Sequence, residues 1–188
     1  MGIPIVVYLD DGWGAAENYE ICENMALQVK SDLEKSGFVA NDSKSIWTPV
    51  HNMEWLGFNW NLEEGILEIP KKKFDNLKYI ISALFEGDLL LTCRNLAKIC
   101  GKIISMLPAL GNICQIMTRH LHMKICSRTC WDSIVLIDDN IIKELRFWYF
   151  YCEKIKFRHI APICRMPERI IFSDASWVCR CWVYCGFK

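Results

Sequence analysis

Two adjacent carboxylates, Asp10 and Asp11, follow the apolar run Ile3 to Leu9 and precede Gly12. Like charges so placed repel, and the pair wants either a cation or a solvated position. Hard carboxylate oxygens suit magnesium, which is usually held by one or two carboxylates together with substrate phosphates. The run Ile3 to Leu9 reads as a buried strand, and Asp-Gly favours the positive-φ geometry of a two-residue hairpin, so the carboxylates fall at a tip. Strand alternation puts Tyr8 and Asp10 on one face. That face would offer a nucleotide both a metal ligand and an aromatic platform. A solvated Asp-Asp-Gly turn is the other reading, and these residues alone leave both open.

A second constellation is basic. Arg94, Lys98 and Lys102 recur every four residues and so lie along one broad face of a helix. Each step is about 6 Å of rise, comparable to phosphate spacing along a nucleic-acid strand. Contacts of that kind are independent of sequence. The same residues also describe a solvated basic face. Eleven cysteines form a third feature, and the closest three are Cys179, Cys181 and Cys185. Their spacing fits no common zinc pattern, and the alternative is strand side chains. Cys22, Cys100 and Cys114 sit among apolar neighbours and read as small core hydrophobes.

The elements that must position these groups can be traced along the chain. A helical period runs from about Ala16 to Ser36, with Tyr19, Cys22, Met25, Val29 and Leu33 on one stripe and Gly37 as its stop. Short strands are expected at Phe38 to Ala40, Ser45 to Trp47, Met53 to Trp60 and Ile66 to Ile69. From Lys71 the pattern is helical, with Phe74, Leu77, Ile81 and Leu84 inward. Thr92 predicts an N-cap for a second helix reaching about Leu107, before Pro108. A third helical stretch covers Asn112 to Cys126, a fourth Ile141 to Glu153, and Arg169 to Ser176 reads as a strand. The fold class expected is α+β.

Composition narrows the function classes. A hydrophobic content of 52% in 188 residues supports a buried core and argues against wholesale disorder. No stretch approaches the roughly 18 charge-free apolar residues of a membrane span. Ile3 to Leu9 lacks a basic leader and a cleavage site, and Val6 stands where a myristoylation signal wants Ser or Thr. The expectation is an intracellular protein with no membrane partner, its compartment not indicated. The net charge is +0, yet residues 1–69 carry 12 acids and 3 bases while residues 70–128 carry 3 acids and 10 bases. Such asymmetry fits a basic nucleic-acid grip beside an acidic metal-holding part, and equally two oppositely charged domains docked together.

Taken in order, the motifs resemble a retrotransposon reverse transcriptase. Pro4 to Asp11 looks like the catalytic palm hairpin of that family, and Ser36 to Ser45 like the next palm motif with its lysine, here Lys44. Glu54-Trp55-Leu56-Gly57-Phe58 resembles the primer-grip hairpin, Ile69 to Lys73 the entry to the thumb, and Leu96 to Ile103 a thumb helix. Ile170 to Ser176, containing Asp174, resembles the first strand of the linked ribonuclease H domain. The style is closest to the DIRS-like group. The resemblance implies a partial palm over 1–69, a helical thumb over 70–126, a connection over 127–168 and a truncated ribonuclease H-like start over 169–188.

It also implies roles. Asp10 would ligate Mg2+ and Asp11 support the site, for two-metal nucleotidyl transfer. Tyr8 would contact an RNA or DNA template–primer, and Trp55, Leu56, Gly57 and Phe58 would position the primer end. Lys44 matches the proposed proton donor to pyrophosphate; as a bare residue it is equally a surface lysine beside a turn. Gly57, lacking a Cβ, permits close backbone approach, or marks a strand bulge. The family takes a further palm carboxylate from upstream of the Tyr-x-Asp-Asp turn, but only seven residues precede Tyr8 and none is acidic. The fingers and dNTP-binding segment have no counterpart either, and no Asp or Glu follows Asp174. Cys179-Arg180-Cys181 stands where related sequences have Gly-Trp-Gly. These departures lead to the expectation of a reverse transcriptase fragment inactive alone, taking dNTP only if the missing palm and fingers are supplied. The alternatives are a non-catalytic nucleic-acid-binding module and a decayed element remnant.

Overall fold

The structure, a computed structural model, describes residues 2–87 and 91–160 and the backbone of two further strands at 170–175 and 180–185. It is mixed α+β. The first hairpin pairs β1 (Ile5–Tyr8) with β2 (Asp11–Gly14), placing Tyr8 opposite Asp11. Its two-residue tip is therefore Leu9-Asp10, not Asp10-Asp11-Gly12, and Leu9 takes the left-handed backbone at φ 56°. Tyr8 and Asp11, as directly opposed residues, project to one face, so Asp11 rather than Asp10 shares the face of Tyr8. The strand expected to be buried is exposed at every position from Ile5 to Tyr8.

Helix α1 (Tyr19–Lys35) starts where Asn18 Oδ1 accepts the Ile21 N–H at 2.9 Å. It ends in a Schellman motif: Phe38 N–H donates to Leu33 O and Gly37 N–H to Glu34 O, with Gly37 at φ 84°. Phe38 to Ala40 and Ser45 to Trp47 are not strands. Among the described residues no strand lies alongside for their backbone to pair with, and a turn at residues 42–44 intervenes, tied to α1 by a 3.0 Å Lys30–Asp42 bridge.

The Met53–Trp60 stretch is a hairpin and not one strand. β3 (Asn52–Trp55) and β4 (Phe58–Asn61) pair antiparallel around Leu56-Gly57, both with positive φ (50° and 71°), the geometry of a tight I′ turn. β5 (Ile66–Glu68) continues the sheet, and Pro70 leads into α2 (Lys71–Phe85). α3 (Cys93–Ile104) is capped by Thr92 as its sequence predicts, and buries Leu96, Ile99, Cys100 and Ile103. At about 1.5–3 kcal/mol for each fully buried large aliphatic chain, that face is a main anchor of the fold.

The expected third helical stretch is broken into α4 (Leu107–Leu110), α5 (Ile113–Ile116) and α6 (Arg119–Cys126). Pro108 does not stop a helix but opens the short α4, where its missing N–H costs nothing, and Gly111 at φ 68° ends it. α7 (Asp139–Tyr151) is capped by Asp138 and runs into a 3-10 turn at Cys152–Ile155. β6 (Phe157–His159) then pairs with β5, giving a four-stranded sheet of order β3-β4-β5-β6. One hydrophobic core runs from Phe58 to Cys152, crossing the segment boundaries at 69/70 and 126/127. Trp148 is fully buried in it and donates its indole N–H to Met117 O at 2.8 Å. β7 (Ile170–Ala175) and β8 (Arg180–Cys185) form a separate antiparallel pair. No helix among the described residues is long and apolar enough to cross a membrane.

Candidate nucleic-acid interface

Alternation along the first hairpin puts Val6, Tyr8, Asp11 and Trp13 on one face. Trp13 is what that face packs with. Its ring stacks on Trp55 with centroids 5.8 Å apart and lies 5.3 Å from Trp60, and Trp55 and Trp60 are themselves 5.9 Å apart. The Trp60 indole N–H donates to Trp55 O at 3.3 Å, holding the cluster across the β3–β4 hairpin. The acidic hairpin and the Trp55–Phe58 hairpin, more than forty residues apart in sequence, are thus joined through three indoles. Aromatic pairs of this kind add about 0.5–1.5 kcal/mol beyond their buried area.

Asp10 and Asp11 are exposed at the end of the hairpin that carries Trp13. Their hard oxygens suit Mg2+, and the adjacent pair supplies the one or two carboxylates such an ion takes alongside phosphate oxygens. Among the described residues no group of three or more His, Cys, Asp or Glu is placed to hold a metal. The two aspartates stand at one hairpin end, Asp11 on the face of Tyr8 and Asp10 in the turn. Tyr8 stands exposed on the same face as Asp11. Lys44 is exposed in the turn that follows α1, where its N–H donates to Asn41 O.

At the second hairpin the structure adds a residue. Lys73, in the first turn of α2, extends over the Phe58 ring with its Nζ 4.2 Å from the centroid. A Cβ at Gly57 would stand 3.1 Å from that Nζ, so the hairpin tip and α2 meet across the space glycine leaves open. Burial pushes the Lys73 ammonium below its ordinary pKa, against the smaller opposing pull of Glu54. Phe58 is buried, Trp55 half-buried and Leu56 exposed at the tip.

The basic stripe on α3 divides. Arg94 donates to both oxygens of Asp132, Nε–Oδ1 at 2.7 Å and Nη2–Oδ2 at 3.0 Å, and the pair holds the Asp132 carboxyl below its usual range. Lys98 is exposed and Lys102 half-buried, and neither has an ion-pair partner among the described residues. α6 packs against α3 and carries Arg119 and Lys124. Asp174 lies in β7 opposite Cys181 in the β7–β8 register, away from these hairpins in sequence and in a separate sheet. Cys179 lies outside the described residues.

Trp13 and Lys73 do not stand out as site residues in the sequence. Trp13 had a signal: two residues beyond Asp11 on a hairpin strand, it must share that residue's face. Lys73 had none, because its reach to Phe58 depends on how α2 leaves the sheet. No family model, curated protein or solved structure matches the chain.

Proposed function

We propose that this chain is a partial palm and thumb of a reverse transcriptase-like, RNA-directed DNA polymerase, which engages a template–primer but does not copy it unaided. The observation that carries the reading is the joining of the acidic hairpin to the Trp55–Phe58 hairpin through Trp13. Two segments that resemble a catalytic turn and a primer grip need to be neighbours for the chemistry to work, because a primer end must lie beside the metal-holding carboxylates. Nothing in their sequence separation requires it.

In this reading Asp10 and Asp11 help seat Mg2+, which would neutralise developing phosphate charge. Tyr8 and the Trp55-Leu56-Gly57-Phe58 tip orient the primer terminus, Lys44 stands as a proton donor near the turn after α1, and Lys98 and Lys102 hold the duplex backbone. Asp174 would belong to a ribonuclease H-like strand.

The test is a fluorescence-anisotropy titration of the chain with a short RNA–DNA duplex bearing a recessed 3′ end. Mg2+ should tighten binding in wild type and not in D10N/D11N. Binding untouched by both Mg2+ and the double substitution removes the polymerase reading. No primer extension is expected from this chain alone, since the two aspartates are its only carboxylates at the turn; Mg2+-dependent extension by the purified chain overturns that statement.

A second reading, a non-catalytic nucleic-acid-binding module, is favoured by one observation: Lys98 and Lys102 carry no ion pair among the described residues while Arg94 does. Under either reading K98A/K102A weakens duplex binding and flattens its salt dependence, and R94A does so much less. Mg2+-independent binding with that lysine dependence selects the module.

A further inference from the structure

We propose that Lys73 is a positioning residue: seated on the Phe58 ring in the space opened by Gly57, it fixes the tilt of the Trp55–Phe58 hairpin tip against the start of α2. This rests on the reading above in one respect, that the tip receives a primer end while the helices beyond α2 hold the duplex.

Three observations carry it. The tip is built of two left-handed residues, Leu56 at φ 50° and Gly57 at φ 71°, and a leucine in that region is held there only by its surroundings. Lys73 is what lies against it: Nζ is 4.2 Å from the Phe58 centroid, and an added Cβ on Gly57 would meet both Nζ and Cε within 3.3 Å. Lys73 is also anchored at its own backbone, its N–H donating to Pro70 O at 2.9 Å in the uncapped first turn of α2. A cation on an aromatic face is directional, attracted to the ring centre, so it defines an angle between two elements where an aliphatic contact would only bury area. Glu54, on the same hairpin, is the carboxylate whose field reaches the ammonium. The half-buried stem and the charge together make Lys73 a brace across the junction where sheet becomes helix.

Two variants separate brace from bulk. K73M keeps the stem and removes the charge; K73R keeps a cation able to stack on Phe58. Hydrogen exchange followed by mass spectrometry on the full chain should be about fivefold faster over residues 55–58 in K73M, with K73R close to wild type. In anisotropy titrations, the preference for a recessed 3′-end RNA–DNA duplex over a blunt one should fall about fivefold in K73M and recover in K73R, while affinity for the blunt duplex is unchanged. Wild-type exchange rates over 55–58 in K73M overturn the proposal, as does a K73R that behaves like K73M in exchange. Faster exchange in K73M together with a wild-type chain that binds neither duplex leaves the brace standing and removes the nucleic-acid reading.

Discussion

Glu144 is a buried carboxylate with no part in the proposed chemistry, and its geometry explains why it is tolerated. From α7 it reaches the start of α6, where Oε1 accepts the His120 backbone N–H at 2.8 Å and Oε2 the Leu121 N–H at 3.0 Å, with His120 Nδ1 a further 2.8 Å contact. α6 has no side-chain cap of its own, so Glu144 supplies a cap from another helix, and its charge lies at the favourable end of the helix dipole. E144A leaves two donors unpaired, the Leu121 N–H of them buried, and should cost about 2–3 kcal/mol in urea denaturation; E144Q, which keeps one acceptor oxygen, should cost less. Equal losses in the two variants would mean that one acceptor of the right shape is not enough, and that the site needs both carboxylate oxygens and their charge. The Lys78–Glu153 pair, 2.7 Å apart, makes a different residue-scale claim. The lysine's hydrogen bond holds Glu153 below its ordinary 4.5, and Glu153 holds Lys78 above its ordinary 10.5. The stabilisation is therefore present above pH 4.5 and below 10.5, and it is lost as acid protonates Glu153 through its depressed pKa. The difference in urea midpoint between wild type and E153Q should be present at neutral pH and disappear as the pH falls through the depressed Glu153 pKa. Neither residue announced itself in the sequence: an i-to-j cap across 24 positions and a bridge across 75 have no local pattern.

At the scale of elements, the tight hairpin at Leu56-Gly57 is the most exacting piece of backbone near the candidate site. G57A should destabilise by about 1–2 kcal/mol, because alanine resists φ 71° and its Cβ meets Lys73. L56N should act in the opposite sense, by up to about 1 kcal/mol, since Asn-Gly is the favoured I′ pair. Urea denaturation of both variants checks the signs, and a stabilised G57A would show that the I′ geometry is absent in solution. The same hairpin illustrates what was legible. Amphipathic period located α1, α2, α3 and α7, and cap identity marked the start of α3 at Thr92, because a helix satisfies its own backbone and its stripe is written locally. Gly37 ended α1 as expected, by the Schellman bonds that glycine permits. Strands were read less well. Phe38 to Ala40 has strand composition but no partner edge, and Met53 to Trp60 folds back on itself at a leucine, not a usual turn residue. For the candidate site, the hairpins were legible as motifs; their apposition through Trp13 and the withdrawal of Arg94 into a pair with Asp132 were not, because both depend on tertiary neighbours.

Across the whole molecule, burial is divided unevenly. Every buried residue among those described lies between Phe58 and Cys152, and none of residues 2–57 is buried. α1 has an apolar stripe and good caps, yet no buried side chain, and β1 exposes apolar side chains beside an edge that pairs with no further strand among the described residues. Local propensity explains why these elements form, but tertiary packing supplies most helical stability in proteins, and here it is nearly confined to the later part. The acidic balance of residues 2–57 sharpens the contrast, since 9 acids against 3 bases repel one another with no buried side chain to offset them. Opening should therefore be graded. In native-state hydrogen exchange, amides of α1 should exchange through local openings at least about a hundredfold faster than those of α3, where Leu96, Ile99 and Ile103 are fully buried. The Trp13–Trp55–Trp60 cluster is the one aromatic tie from the first hairpin to the β3–β4 sheet among the described residues, so W13A should widen that gap by loosening residues 5–14 while leaving α3 unchanged. Equal protection of α1 and α3 would mean that the two parts unfold together, and that the acidic hairpin is held by something stronger than three indoles.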